Sequence, residues 1–152
     1  MSKGEIKNLR KFLKPFPDHI RELTFWLREF VWDLYPDCNE LIYDNYNALA
    51  IGFGPSDRAG DVFCGIAVYA KHVNFGFNKG SGLSDKTKIL KGDGNFYRYL
   101  TIKDKKDFPV APVKILLKEA HLNAISGLRE DRQGIKGLTI IKSVSPVQRR
   151  PG

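Results

Sequence analysis

Residues 62–77 read VFCGIAVYAKHVNFGF, and this stretch decides the fold class. Residues 62–70 form a short apolar run with the length and composition of a buried β-strand. From residue 73 to residue 77, apolar positions alternate with polar or small ones, which is the period of a half-exposed strand. Lys71 and His72 lie between the two runs, where we expect the turn that joins them.

Further extended segments flank this pair of strands. Residues 41–43 and 48–53 are short and apolar, and the turn-forming residues Asp44 and Asn45 lie between them. Residues 96–102 alternate again and predict another strand. Because short connections join consecutive strands, we predict an antiparallel sheet.

Two helices are predicted outside the strands. The first covers residues 18–34, with Asp18 as a candidate N-cap and Pro36 as the residue that prevents further helix. The second covers residues 113–125. The predicted fold class is therefore α+β: an antiparallel β-sheet with N- and C-terminal helices packed on one face.

Charge divides the chain of 152 residues, whose net charge is +8. Residues 1–17 are predicted to be a basic N-terminal segment, residues 18–125 the α+β domain, and residues 126–152 a basic, partly disordered C-terminal tail. Within the basic chain, residues 18–40 form an acidic island with six acidic and two basic side chains. A positive net charge is typical of proteins with anionic partners, and it also serves solubility alone.

Composition restricts the location and the class of protein. The two cysteines favour a reducing, cytoplasmic location over a disulfide framework. The sequence has neither a signal peptide nor an apolar run long enough for a membrane span, so no membrane association is expected. No catalytic motif is recognisable, and we expect no required cofactor. An enzyme is therefore the least favoured class, and a monomer or weak homodimer is expected.

Four carboxylates share one stripe of the first predicted helix. They are Asp18, Glu22, Glu29 and Asp33. They fall within about 60° of one another around the helix. This face is interpreted as solvated, as a weak site for iron or another hard cation, or as a docking site for a basic protein partner. Phe25 and Trp32 flank the stripe, either exposed at an interface or covered by residues 1–16 or the tail.

Two basic, glycine-rich loops are a second candidate site. Residues 79–82 read KGSG and residues 91–94 read KGDG, and glycine lets backbone N–H groups point at an anion. The cations of this candidate anion site are Lys79, Lys88, Lys91 and Arg98. Phosphate is one candidate ligand of these loops. Nucleic acid is another, because Tyr97 and Tyr99 alternate with a basic residue. Two turns that require glycine would explain the same pattern.

Half of the chain resembles a known family. The stretches ALAIGFGPSDRAGDVFCGIAVY (48–69), HVNFGFNKGSGLSD (72–85) and ILKGDGNFYRYL (89–100) resemble the YdhG-like domain-of-unknown-function family. Some of its relatives are labelled iron chaperones by similarity to frataxin. The resemblance implies a sheet against two helices, and weak iron binding through carboxylates on the first helix. The leading hypothesis is therefore a non-enzymatic binding or chaperone-like domain, and the alternative is binding of an anion or nucleic acid.

Overall fold

The computed structural model describes residues 7–46 and 48–147, which form three α-helices and six β-strands. The helices are α1 (Lys7–Leu13), α2 (Asp18–Leu34) and α3 (Val110–Ser126). The strands are β1 (Asn39–Asp44), β2 (Leu49–Gly54), β3 (Cys64–Val68), β4 (Val73–Phe77), β5 (Arg98–Ile102) and β6 (Thr139–Val144). In this part of the chain, no helix combines the length and the apolar character that crossing a bilayer requires.

Helix α2 is continuous, as its sequence pattern predicts. It begins at Asp18 directly after Pro17, so Asp18 is the first helical residue and not the N-cap. Its apolar side chains recur at helical spacing and are buried against the sheet: Ile20, Leu23, Leu27 and Val31. The helix contacts β3 and β4. These contacts hold the opposite side of α2, with its carboxylates, toward solvent.

The sheet has the strand order β5-β4-β3-β2-β1-β6, and the first five strands pair antiparallel with their chain neighbours. The pairing aligns Ile51, Ile66 and Phe75 across β2, β3 and β4. These side chains are buried in the core. Successive residues of a strand point to opposite faces of the sheet. The next aligned row, which consists of Gly52, Gly65 and Gly76, therefore lies on the other face.

The prediction of a purely antiparallel sheet is wrong at one edge. Strand β6 pairs parallel with β1, so the sheet is mixed. Within residues 126–152, which the sequence predicts to be a basic, partly disordered C-terminal tail, residues 139–144 form this strand. Asn39 helps to place it, because its side-chain amide donates to the Ile135 carbonyl at 2.8 Å and accepts from the Leu138 N–H at 3.0 Å. Residues 148–152 lie outside the described part of the chain.

Residues 9–16, before α2, contribute to the core. The sequence predicts a basic N-terminal segment over residues 1–17, and within its described part Leu9, Phe12 and Leu13 of α1 and Phe16 in the following turn are buried. The segment was predicted from its charge, and its basic residues lie between these apolar ones. Residues 1–6 of the segment are not described.

A buried ion pair joins α2 to β1. Arg28 donates to both carboxylate oxygens of Glu40, from Nε to Oε2 at 2.5 Å and from Nη2 to Oε1 at 3.0 Å. The Thr139 hydroxyl of β6 donates to the same carboxylate at 2.9 Å. Arg28 is 4% exposed and Glu40 is 0% exposed. This cluster therefore connects one helix to two strands in an environment where an unpaired charge is costly.

Candidate ligand-binding surface at the β5 edge

The two basic glycine loops lie against each other where β5 begins. The Ser81 N–H donates to the Phe96 carbonyl and the Ser81 hydroxyl to the Asn95 carbonyl, each at 2.9 Å. Lys91 and Tyr99 exchange two backbone hydrogen bonds of 2.8 and 3.0 Å. Because β5 is an edge strand of the sheet, these loops form a single surface at that edge. We call residues 79–82 and 91–99 the β5-edge surface.

Two of the glycines in this surface are required by the backbone. A Cβ atom at Gly80 would lie 2.6 Å from the Arg98 Cβ, so a larger residue would separate the loops. Gly92 has a φ of +116°, which side chains disfavour. A Cβ at Gly82 or at Gly94 would meet nothing within 4 Å. Close packing at Gly80 and a positive φ at Gly92 therefore explain two of the four glycines, and the other two have open space where a side chain would be.

Three of the four predicted cations belong to this surface. Arg98 is held in the loop, because its Nη1 donates to the Gly94 carbonyl at 2.6 Å and to the Tyr97 carbonyl at 2.8 Å. Lys79 and Lys91 are exposed beside it. Lys88 lies three residues before Lys91, in a turn closed by its own N–H to the Asp85 carbonyl at 3.1 Å. The described contacts do not join Lys88 to the other three cations.

Aromatic side chains complete the β5-edge surface. Phe96 is 67% exposed and Tyr97 is 42% exposed. The rings of Tyr97 and Tyr99 stack with their centroids 5.8 Å apart. Tyr97 also lies over Gly76 on the outer face of the sheet. Burial, helped by the neighbouring Tyr69 and Tyr99 hydroxyls, raises the pKa of Tyr97 to about 12, so its hydroxyl stays protonated at neutral pH.

Sequence reasoning missed Phe96 as a surface residue. The alternation over residues 96–102 predicts that Phe96 begins a strand, whereas β5 begins at Arg98. Phe96 therefore lies in the loop, where the adjacent Gly94-Asn95 turn is the available signal for an exposed side chain.

The four carboxylates of α2 remain a separate candidate site. Asp18, Glu22, Glu29 and Asp33 are all exposed. Asp18 forms an ion pair with Arg21, whereas no basic group of residues 7–46 or 48–147 lies within 4 Å of the other three. Asp18 and Asp33, the ends of the stripe, are fifteen positions and about 22 Å apart along the helix, so one ion cannot contact all four carboxylates. Nowhere in the described chain do three or more His, Cys, Asp or Glu residues form a group suited to a metal ion.

The aromatic residues that flank the carboxylates are not an exposed pair. Trp32 is 4% exposed, and its indole N–H donates to the Cys38 carbonyl at 2.7 Å. Phe25 is partly buried, and the guanidinium of Arg10 in α1 lies 5.8 Å from its ring. Of the two alternatives for Phe25, cover by the N-terminal segment is therefore the one observed, and Trp32 is a core residue.

A third feature is a cleft of about 370 Å³ between the C-terminal ends of α2 and α3. His121 stacks on Tyr35 in this cleft, with ring centroids 4.2 Å apart, and it meets the edge of Phe63. Burial lowers the pKa of His121 below its usual value of 6.5. Asp37 and Lys136 also line the cleft. The buried thiol of Cys38 also lines this cleft.

The lowered pKa of His121 predicts how stability depends on pH. The folded state disfavours the protonated imidazole, so below pH 6.5 the unfolded state binds more protons than the folded state. The stability that the neutral, buried His121 contributes is therefore lost as pH falls. We expect the urea midpoint to fall between pH 7.5 and pH 5, and His121→Gln to make that fall smaller. Urea denaturation of both proteins at both pH values measures this difference, and an equal fall in both would contradict the assignment.

Comparison with protein-family models, with curated proteins and with solved structures found no match to this chain. The functional interpretation therefore depends on the arrangement of its own residues. Of the three candidate sites, only the β5-edge surface combines cations, exposed aromatic rings and open glycine backbone in one place.

Proposed function

We propose that this protein is a non-enzymatic binding domain that holds a polyanionic ligand on a basic, aromatic surface. Its ligand is a single-stranded nucleic acid, bound along the β5-edge surface. The observation that carries this proposal is the 67% exposed Phe96 ring on a surface that also includes Lys79, Lys91 and Arg98. An exposed aromatic ring beside cations matches the two chemical features of such a ligand, its bases and its phosphates.

The aromatic part of the surface supports base stacking. Phe96, at 67% exposure, and Tyr97, at 42% exposure, offer ring surface to a base, and Tyr99 supports Tyr97 by stacking on it. Stacking of a base on an aromatic side chain contributes about 1–3 kcal/mol, with little dependence on sequence. The ligand is consequently predicted to be bound without strong sequence preference, and a single strand is preferred because its bases are accessible.

The charged part of the surface supports phosphate binding. Residues 71–106 carry nine basic and three acidic side chains, so the region around β5 is more basic than the chain as a whole. Lys79 and Lys91 are exposed, and the hydrogen bonds of Arg98 to the loop carbonyls fix its position. A Cβ at Gly82 or Gly94 would meet nothing within 4 Å, so these positions leave steric room for a phosphate, although the Gly82 N–H itself donates to the Lys79 carbonyl at 3.2 Å.

Fluorescence anisotropy with a labelled oligothymidylate of about 12 nucleotides tests this function. We expect binding that weakens with salt, with a log–log slope near −2 for about three phosphate contacts. Lys79→Glu combined with Lys91→Glu is expected to weaken binding and to reduce that slope, because two cations of the surface are lost.

The matched control has the same charge change on a different surface. Lys11 and Lys14 are exposed at α1, so Lys11→Glu with Lys14→Glu lowers the net charge equally and away from β5. We expect this control to retain most of the affinity. Equal weakening by both double variants would mean a general attraction to a basic protein, and absence of binding by the wild type would refute the proposal.

The acidic face of α2 is a second candidate for a binding function. Glu22, Glu29 and Asp33 are exposed and have no cationic neighbour within 4 Å in the described chain, so a cation or a basic protein partner would meet available carboxylates. Weak binding of iron or another hard cation would involve neighbouring carboxylates separately, because the stripe is too long for one ion. The YdhG-like and frataxin-like resemblance favours this candidate.

Two further predictions accompany the proposal. Both long helices are proposed to cover the same face of the sheet, supported by the ring contacts of Phe108, which precedes α3, with Phe30 of α2 and Phe75 of β4. A cytoplasmic location is proposed because Cys38 and Cys64 are not joined in a disulfide.

A further inference from the structure

Helix α3 has apolar residues on both of its sides. Val113, Leu116 and Leu117 are buried against the rest of the molecule. On the outward side, Ile115 is 68% exposed and Leu122 is 55% exposed. The outer face of a surface helix is ordinarily polar, so this face has an unexplained apolar character.

A groove runs along this outward side. It has a volume of about 440 Å³ and lies between α3 and residues 84–87. Pro112, Ile115 and Leu122 contribute its apolar lining. Ile115 and Leu122 are seven residues apart, which corresponds to two helical turns and about 10 Å. This spacing matches apolar side chains at positions i and i+7 of a second helix lying in the groove.

Two acids and two lysines line the groove, but the acids are half-buried and bonded to its loop wall, whereas the lysines are exposed. The Glu119 carboxylate accepts the Ser84 N–H at 2.9 Å and the Ser84 hydroxyl at 3.2 Å. The Asp85 carboxylate accepts the N–H groups of Ile89 at 3.1 Å and Leu90 at 2.9 Å. These bonds fix the loop that forms one wall of the groove.

Lysines lie on both sides of the apolar lining. Lys86 belongs to the loop wall and Lys118 to α3, and both are exposed and line the groove. Lys114 is one turn before Lys118 on the same helix and is also exposed. Apolar residues between two groups of lysines are complementary to an apolar stripe between acidic residues.

We propose that this α3 groove docks an acidic amphipathic helix of a partner protein. Apolar side chains of the partner pack on Ile115 and Leu122, and its carboxylates face Lys86 and Lys118. A second copy of this chain fits less well, because each copy has a net charge of +8 and would bring its lysines against those of the other.

The probe is a labelled synthetic helix of about 18 residues, with leucine at positions i, i+4, i+7 and i+11 and glutamate beside them. One matched peptide has lysine in place of every glutamate, and another has glutamine in place of every leucine. We expect both substituted peptides to bind at least about tenfold more weakly in fluorescence anisotropy. Failure of the glutamate peptide to bind, or equal binding of the lysine peptide, would overturn the proposal.

Variants of the protein locate the binding to the groove. Ile115→Gln and Leu122→Gln change exposed side chains, so they should leave the melting temperature nearly unchanged. We expect each to lower the affinity for the glutamate peptide by about tenfold. Val144→Gln, at another exposed apolar residue, is the matched control and should have no effect. Equal effects of all three variants would contradict docking in the groove.

Sedimentation velocity tests whether a second copy of this chain, and not a partner protein, occupies the groove. The proposal expects the protein without peptide to sediment as a monomer. A concentration-dependent dimer that Ile115→Gln converts to monomer would assign the groove to a second copy and overturn the proposed partner. Oligothymidylate binding by Ile115→Gln is a separate readout, because the α3 groove and the β5-edge surface have no residue in common.

Discussion

Arg28→Ala is expected to lower the free energy of unfolding by about 3–5 kcal/mol, among the largest effects of any single substitution in this chain. The reason is the position of its partner, since Glu40 is 0% exposed and receives two hydrogen bonds from Arg28. Without the guanidinium, the carboxylate remains buried with the Thr139 hydroxyl as the one other donor seen in the described structure. A buried charge without its counterion costs far more than an exposed one.

Urea denaturation of three variants tests this expectation. Arg21→Ala removes the partly exposed pair with Asp18 and the hydrogen bond to the Phe16 carbonyl, and we expect it to cost less than about 2 kcal/mol. Replacing both Arg28 and Glu40 with methionine should recover much of the loss, because no uncompensated charge then remains in the core. A cost for Arg28→Ala as small as that of Arg21→Ala would show that the ion pair does not hold α2 to β1.

Phe96→Ala is expected to weaken oligothymidylate binding by about 5- to 150-fold, corresponding to the 1–3 kcal/mol of one stacked base. Phe96 is 67% exposed in the free protein, so its removal should change the free energy of unfolding by less than about 0.5 kcal/mol. A large effect on affinity with little effect on stability is the signature of a side chain that serves the ligand. Anisotropy and thermal denaturation of the same preparation measure both quantities.

The matched control for this substitution is Tyr46→Ala. Tyr46 is 47% exposed in the turn between β1 and β2, so it is an aromatic side chain of similar exposure outside the β5-edge surface. We expect its removal to leave the affinity unchanged. If Tyr46→Ala and Phe96→Ala weakened binding to the same extent, the aromatic residues would not define a site.

Local patterns predicted much of this fold. Helix α2 followed from apolar residues at helical spacing, and β3 and β4 from the run over residues 62–77, because each pattern lies within a single element. Strand β6 could not be predicted in the same way. Its partner β1 lies about a hundred residues earlier in the chain, so no local pattern indicates their parallel pairing. The basic composition around β6 also favoured the prediction of a tail. The Arg28–Glu40 pair is equally non-local, since its burial depends on how α2 lies on the sheet.

The candidate sites were predicted to different degrees. The two glycine loops were recognisable from composition, and the structure places them in contact through Ser81 and Arg98. The exposure of Phe96 was not recognisable, because it depends on where β5 begins. The exposure of Ile115 was missed for a similar reason. Only the packing of α3 decides which side of the helix meets the core.

Two-dimensional ¹H–¹⁵N NMR during titration with oligothymidylate tests the central claim most directly. The account predicts that the amide signals of Lys79–Gly82 and Lys91–Tyr99 shift first and that those of Asp18–Asp33 in α2 and of α3 stay in place. Shifts spread evenly over the basic surface of the molecule, or confined to α2, would contradict it.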